Sequence, residues 1–135
     1  MKYTEKISSL YIRDNENTTP ALIISTKEFP INYSIPISVY LFSLYFNKEY
    51  YMNTKIFNSE NKLLLNSDTP PFILKRDDIS EDKLMDNTLY SSGFDLQTAQ
   101  LNIFRSEDFR IEISLLSSGV VLDTITTYFM SKLSS

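Results

Sequence analysis

The sequence predicts an all-β fold, an antiparallel β-sandwich of about seven or eight short strands with at most one short helical turn. Aromatic residues are frequent, with 9 Tyr and 9 Phe, and so are Ile, Val and Thr. These residue types favour strands, and they alternate with polar residues between connections of hairpin length. No repeat or low-complexity linker divides the chain, so we expect residues 1–135 to form a single β-sandwich domain.

The first half of the chain predicts two successive hairpins. An almost unbroken apolar run ends at Phe46, and the polar tip Asn47-Lys48-Glu49 separates it from Tyr50–Phe57. A second polar tip at 58–61 leads into Leu63–Leu65, after which two prolines at 70 and 71 end the ladder, because proline cannot donate a backbone hydrogen bond. Two earlier strands are expected at Lys6–Ile12 and Ala21–Ser25.

The second half begins with the most charged part of the chain, Lys75–Asn87. It predicts a loop in which Ser80 could cap a short helical turn over Glu81–Asp86. Strands return from Phe94 onward, with a turn expected at Arg105–Asp108. The clearest alternation follows, and a hairpin tip at Ser117-Ser118-Gly119 then leads into the last strand. The apolar positions of this last part are Ile111, Ile113, Leu115, Val121, Ile125 and Phe129.

A pattern of turns and strands over Ala21–Phe129 resembles small uncharacterised prokaryotic β-sandwich proteins. It consists of a Phe29-Pro30 corner, a long apolar strand, a hairpin tip rich in Asn and Glu before a Leu strand, and a glycine-tipped final hairpin. The resemblance implies a fold and carries over no functional residue. Abundant Asn, Ser, Lys, Ile and Tyr are typical of an AT-rich genome, such as that of a low-GC bacterium or one of its phages.

Composition excludes several kinds of chemistry. The chain has no His, no Cys and only 2 Gly, so it lacks the usual base of a catalytic triad, the usual zinc ligands and the glycines of a phosphate-binding loop. A net charge of -4, with 13 scattered basic residues, argues against nucleic-acid binding. We therefore expect a non-enzymatic protein without a cofactor or metal.

Localisation is predicted to be cytoplasmic. The N-terminal residues show no apolar signal segment with a cleavage site, and no apolar run is long enough to span a bilayer. The absence of cysteine fits an intracellular protein or one indifferent to the redox state of its compartment. No membrane association is expected.

One face of the first predicted hairpin stands out as a candidate interaction surface. With a three-residue tip, Phe46 would face Tyr50 and Leu44 would face Met52 on the core side. The other side would mix tyrosines and aliphatic residues with few charges, as protein interfaces do. That candidate surface comprises Val39, Leu41, Tyr45, Tyr51 and Phe57. Alternatively, the loop from Pro70 to Asn87 covers this face.

The sequence thus favours an accessory module, of phage or mobile-element type, that binds a protein partner or itself through the Tyr-rich face. The alternative is a calcium- or small-ligand-binding module that uses the acidic loop 77–86, because carboxylates are hard ligands for calcium. The loop has no calcium-binding spacing and no glycine turn. Carbohydrate binding by tyrosine stacking ranks third, since the chain has no Trp.

Overall fold

The computed structural model describes residues 4–13, 21–86 and 88–134, which form eleven β-strands and two 3-10 turns. These ranges contain no helix long and apolar enough to cross a membrane. The strands are β1 (Lys6–Ile12), β2 (Ile23–Thr26), β3 (Ile31–Tyr33), β4 (Pro36–Tyr45), β5 (Glu49–Phe57), β6 (Leu63–Asp68), β7 (Phe72–Ile73), β8 (Leu89–Gln97), β9 (Leu101–Ile103), β10 (Glu107–Ser117) and β11 (Val120–Leu133). The 3-10 turns are Arg76–Asp78 and Glu81–Lys83.

Two sheets enclose one hydrophobic core in a sandwich-like arrangement. The small sheet has the strand order β1-β4-β8, and its pairs are antiparallel. The large sheet has the order β2-β11-β10-β5-β6, with β7 added on β5. Strands β3 and β9 form a separate antiparallel pair. Core residues come from the small sheet on one side and from β5, β10 and β11 on the other.

The all-β prediction is confirmed, but three of its details are wrong. The described residues form eleven strands where seven or eight were expected, because the short strands β3 and β7 have only three and two residues, too few to produce a period-two signal. The fold is not purely antiparallel, because β2 runs parallel to β11, with Ile23 beside Met130. Two 3-10 turns replace the single helical turn; the first is closed by the Lys75 N–H, which donates to the Asp78 carboxylate.

The predicted hairpin between β4 and β5 is also wrong, because these strands belong to different sheets. Strand β4 pairs with β1 and β8, whereas β5 pairs with β10, β6 and β7. The connection hydrogen-bonds to both layers: the Phe46 N–H donates to the Thr88 carbonyl before β8, and the Asn47 N–H donates to the Leu74 carbonyl after β7. A hairpin turn and a connection between two sheets can have the same short length, so the sequence alone does not distinguish them.

A β-bulge in β4 reverses the predicted orientation of its side chains. The register with β8 shifts between Leu41 and Leu44, and Ser43 has a φ of 65°. Before the bulge, Val39 and Leu41 point into the core and are 0% and 1% exposed, while Tyr40 points outward. The extra residue lets Leu44 return to the core three positions later. Val39 and Leu41 are therefore core residues, contrary to their place on the predicted surface.

Alternation in the other long strands is as predicted. On β5, the core positions are Tyr50, Met52, Thr54 and Ile56, and on β10 they include Ile111, Ile113 and Leu115. The tip between β10 and β11 is also confirmed. Ser118 and Gly119 there have φ values of 51° and 77°, as a two-residue turn between twisted strands requires. Opposite Leu115 and Leu116, β11 contains a bulge, because the register passes from Asp123 to Val121.

Hydrogen bonds of buried Tyr50 stabilise the crossing from β4 to β5. Its hydroxyl donates to the Glu5 carboxylate just before β1 and accepts a hydrogen bond of 2.9 Å from the Tyr45 N–H at the end of β4. The Lys48 ammonium lies 2.8 Å from the same Glu5 oxygen and above the rings of Tyr45 and Tyr50. Burial and the hydrogen bond to Glu5 raise the pKa of Tyr50. These contacts connect both sheets at the crossing.

The Leu41→Lys substitution is expected to prevent stable folding, because it places a charge between the sheets. A buried lysine is neutralised at a cost of about 4 kcal/mol or more, which is a large part of the stability of a domain. The matched control is Ile73→Lys on β7, where an aliphatic side chain is 48% exposed. Chemical denaturation followed by circular dichroism compares the two. A folded Leu41→Lys variant of unchanged stability would contradict the placement of Leu41.

The free energy of unfolding is expected to respond differently when the hydroxyl of either of two buried tyrosines is removed. Tyr50→Phe removes a donor to a carboxylate and should lower the free energy of unfolding by about 2 kcal/mol. Tyr90 is equally buried, but its hydroxyl has no hydrogen-bond partner within the described residues. Tyr90→Phe should leave stability unchanged or raise it by up to about 1 kcal/mol. Urea unfolding of both variants tests the difference, and equal losses would be evidence against it.

Stability is expected to fall at alkaline pH. Burial raises the pKa of Tyr90 from 10.0 to about 12, so above pH 10.0 the unfolded chain releases a proton that the folded protein retains. The stabilisation that the raised pKa of Tyr90 provides is fully present below pH 10.0. It decreases by about 1.4 kcal/mol per pH unit as the pH rises from 10.0 to about 12. Unfolding free energies between about pH 9 and 11 measure the slope. The slope should be shallower in Tyr90→Phe, and an identical slope in both proteins would contradict the assignment.

Candidate functional site

The structure separates the five residues of the predicted interaction surface. Val39 and Leu41 lie in the core, and Tyr45 is exposed at the end of β4, in the small sheet. Tyr51 and Phe57 are half-buried on the outer face of the large sheet, at opposite ends of β5. The predicted surface is therefore not one face. Its two β5 members, Tyr51 and Phe57, nevertheless share the outer face of the large sheet.

The outer face of the large sheet carries side chains from β6, β5, β10 and β11, which lie in cross-strand rows set by the register of these strands. In the middle of the face, cross-strand rows are polar: Lys55 lies opposite Glu112, and Ser114 shares a hydrogen bond of 2.8 Å with Thr124. Asn53 donates to side chains of β6. Polar pairs of this kind are typical of a sheet face in contact with water. The ends of the face differ, because apolar side chains there are exposed.

One end of the face carries a continuous cross-strand row of exposed and half-buried side chains, most of them apolar or aromatic. The register sets Tyr128 of β11 opposite Arg110 of β10, Arg110 opposite Phe57 of β5, and Phe57 opposite Leu63 of β6. Tyr128 is 62% exposed, and a groove of about 490 Å³ lies beside it against β2. We call this row the apolar stripe; it comprises Ile23, Phe57, Leu63, Arg110, Tyr128 and Met130.

Arg110 gives the apolar stripe a charge at its centre. Its guanidinium carbon lies 4.3 Å from the centroid of the Phe57 ring, a cation–π contact. The Arg110 Nε atom is 3.6 Å from the Glu112 carboxylate and makes no hydrogen bond within the described residues. Exposed Asp108 precedes it by two positions and shares the same face of β10. A carboxylate and a guanidinium thus lie side by side in an apolar surface.

Sequence reasoning missed most of the apolar stripe. It identified the alternation of β10, whose polar side includes Arg110 and Glu112, and it placed Phe57 on an outward face. Ile23 was missed because its position depends on the parallel pairing of β2 with β11, and Tyr128 was missed although it lies opposite Arg110 in the predicted hairpin. The signal available in the sequence was Tyr128 in phase with Thr124 and Thr126 along one strand.

The acidic loop 77–86 does not bring its carboxylates together. Asp78 accepts the Lys75 N–H, and Asp82 accepts the Ser80 hydroxyl, which lowers the pKa of Asp82. Asp86 accepts the N–H groups of Thr88 and Leu89. The described part of the chain contains no group of three or more carboxylates arranged to hold a metal ion. These acidic side chains stabilise turns, and their geometry gives no support to the calcium alternative.

Solved structures similar to this chain are domains of longer bacterial proteins. A Mobiluncus mulieris adhesin with intramolecular disulfide, isopeptide and ester cross-links matches 98% of this chain and 58% of its own, with a TM-score of 0.61 and 10% identity. A β-glucuronidase from Bacteroides uniformis matches 93% of this chain and 14% of its own, with a TM-score of 0.62 and 13% identity.

A glycosyl hydrolase family 2 member from Bacteroides cellulosilyticus DSM 14838 matches 92% of this chain and 15% of its own, with a TM-score of 0.55 and 9% identity. No protein-family model and no curated protein matches the sequence. At these identities the likeness concerns the fold alone. The chain is therefore similar to β-sandwich domains that occupy part of an adhesin or a glycoside hydrolase.

Proposed function

We propose that this protein is a non-enzymatic accessory module that binds protein through the apolar stripe. The observation that carries the proposal is the alignment of exposed Tyr128 with half-buried Arg110 and Phe57 across three neighbouring strands. Tyrosine and arginine are the residue types that most often dominate binding energy at protein interfaces. A sheet face in contact only with water would carry polar side chains at these positions, as the middle of the same face does.

Charge on the apolar stripe favours a second copy of this chain as the occupant. Asp108 and Arg110 have opposite charges and lie on the same face of β10, where Glu112 is 3.6 Å from Arg110 on its other side. In a two-fold arrangement, each subunit presents the same surface to the other. A two-fold axis between these residues would place each carboxylate against the guanidinium of the other copy, surrounded by Tyr128, Met130 and Ile23. The surface is thus complementary to itself in both charge and apolar character.

The similar structures support an accessory role. In each of the three, a domain of this fold fills 14% to 58% of the chain. Such a domain is one unit of an adhesin or a glycoside hydrolase, so the fold occurs as a part within larger proteins. A cytoplasmic setting, in a prokaryote, phage or mobile element, belongs to the same proposal and is supported only by sequence composition.

Self-association is expected to depend on the pair Asp108 and Arg110. Arg110→Glu sets carboxylate against carboxylate and should weaken dimerisation at least about tenfold. Exchanging the charges in the double variant Asp108→Arg, Arg110→Glu restores opposite charges across the axis and should recover most of the affinity. Sedimentation equilibrium over a wide range of protein concentration measures the dissociation constants.

The control is Lys55→Glu, which reverses a charge of the same sign in the polar middle of the same face. It should leave the dissociation constant unchanged. Wild-type protein that stays monomeric at all concentrations would exclude a second copy as the occupant. Equal weakening by Arg110→Glu and Lys55→Glu would show that general charge, and not the apolar stripe, governs association.

A further inference from the structure

A pocket of about 610 Å³ opens on the outer face of the small sheet, away from the apolar stripe. Strands β1, β4 and β8 form its floor, and Lys83 of the second 3-10 turn lies at its rim. Its size is in the range of small-ligand sites. Its lining combines four serines and two charged residues with buried Leu41, with half-buried Phe42 and Phe94, and with one exposed aromatic ring.

That ring belongs to Tyr40, which is 44% exposed and lies opposite Gly93 in the register of β4 and β8. A Cβ atom on Gly93 would stand 2.7 Å from Cε1 and 3.0 Å from Cδ1 of Tyr40. The ring therefore occupies space that a side chain at position 93 would fill. Tyr11 stacks beside it at 6.3 Å, and the hydrogen bond between the two hydroxyls raises the pKa of Tyr40. Glycine and Tyr11 together fix the position of the ring.

Polar groups beside the Tyr40 ring are also held in place. Oδ1 of Asp95 accepts a hydrogen bond of 2.8 Å from the Ser38 hydroxyl, and Ser38 is buried under it. The Arg13 guanidinium lies 3.9 Å from the same oxygen. The Asp95 side chain is 71% exposed, so the carboxylate is oriented and open to solvent. Exposed Ser8 and Ser9 add hydroxyls that can both donate and accept, and half-buried Ser91 belongs to the same lining. Ser92 also lines the pocket, but it pairs with Leu41, whose side chain points into the core.

We propose that this pocket binds a neutral disaccharide, with one pyranose ring against Tyr40. A pyranose has an apolar face of C–H groups that packs on an aromatic ring, and a rim of hydroxyls that need donors and acceptors in the same plane. The pocket supplies both. The charged groups at the pocket are of mixed sign, with Asp95 beside Arg13 and with Lys83 elsewhere in the lining, so no cluster of like charge favours an ionic ligand over a neutral one. The inference is independent of the apolar stripe, which lies on the other sheet.

Binding is tested by saturation-transfer NMR with maltose, cellobiose and lactose as probes. At least one of them should bind with a dissociation constant of about 1 mM. Gly93→Val adds a side chain where the Tyr40 ring lies, so it displaces the ring without removing any polar side chain of the pocket. It should weaken binding at least about tenfold, and so should Tyr40→Ala. Circular dichroism confirms that both variants are folded.

The matched control is Tyr128→Ala, which removes an exposed tyrosine from the large sheet and should leave the dissociation constant of the sugar unchanged. The proposal is overturned if none of the three probes shows saturation transfer to the wild-type protein. It is also overturned if both Gly93→Val and Tyr40→Ala bind the sugar as tightly as the wild type does. Loss of binding in Tyr128→Ala alone would place the sugar on the apolar stripe and exclude the pocket.

Discussion

The crossing of the chain from β4 to β5 is the constraint on which the rest of the structure depends. These are interior strands of opposite layers, and only residues 46–48 separate them. The Tyr50 hydroxyl connects the two sides, because it donates to Glu5 and accepts from the end of β4. Strand β4 pairs with β1 and β8 in the small sheet, and β5 pairs with β10 and β6 in the large sheet. The crossing thus joins the middle strand of the small sheet to an interior strand of the large sheet.

The crossing also decides which side chains each sheet presents to solvent. Had β4 and β5 formed a hairpin, Val39 and Leu41 would share a face with Tyr51 and Phe57. In separate layers, the two aliphatic residues fill the space between the sheets, and the β5 aromatics face outward. Tyr40 faces outward for the same reason, since it alternates with Val39 and Leu41 along β4. The crossing therefore decides that Tyr40 faces outward on the small sheet and that the β5 aromatic residues face outward on the large sheet.

The two outer faces differ in chemistry because their aromatic side chains have different neighbours. Phe57 meets Arg110 across β5 and β10, and aliphatic residues extend the row at both ends. Tyr40 meets Gly93 across β4 and β8, and the missing side chain leaves room for the ring among serines. A protein surface suits the first arrangement, which is broad and apolar. A small polar ligand suits the second, which is concave and rich in hydroxyls.

The sequence by itself determined the strand-rich class and the alternation within β5 and β10, together with the turn at Ser118 and Gly119. Hydrophobic period and positive-φ residues are local properties, so neighbouring residues suffice to reveal them. Only the tertiary structure decided that β4 and β5 lie in different layers, that β2 runs beside β11, and that Ser43 forms a bulge. Those features come from pairing between distant segments, which local periodicity does not encode. Both candidate sites depend on such pairings, and for that reason sequence alone identified single members, Phe57 among them, but neither site as a whole.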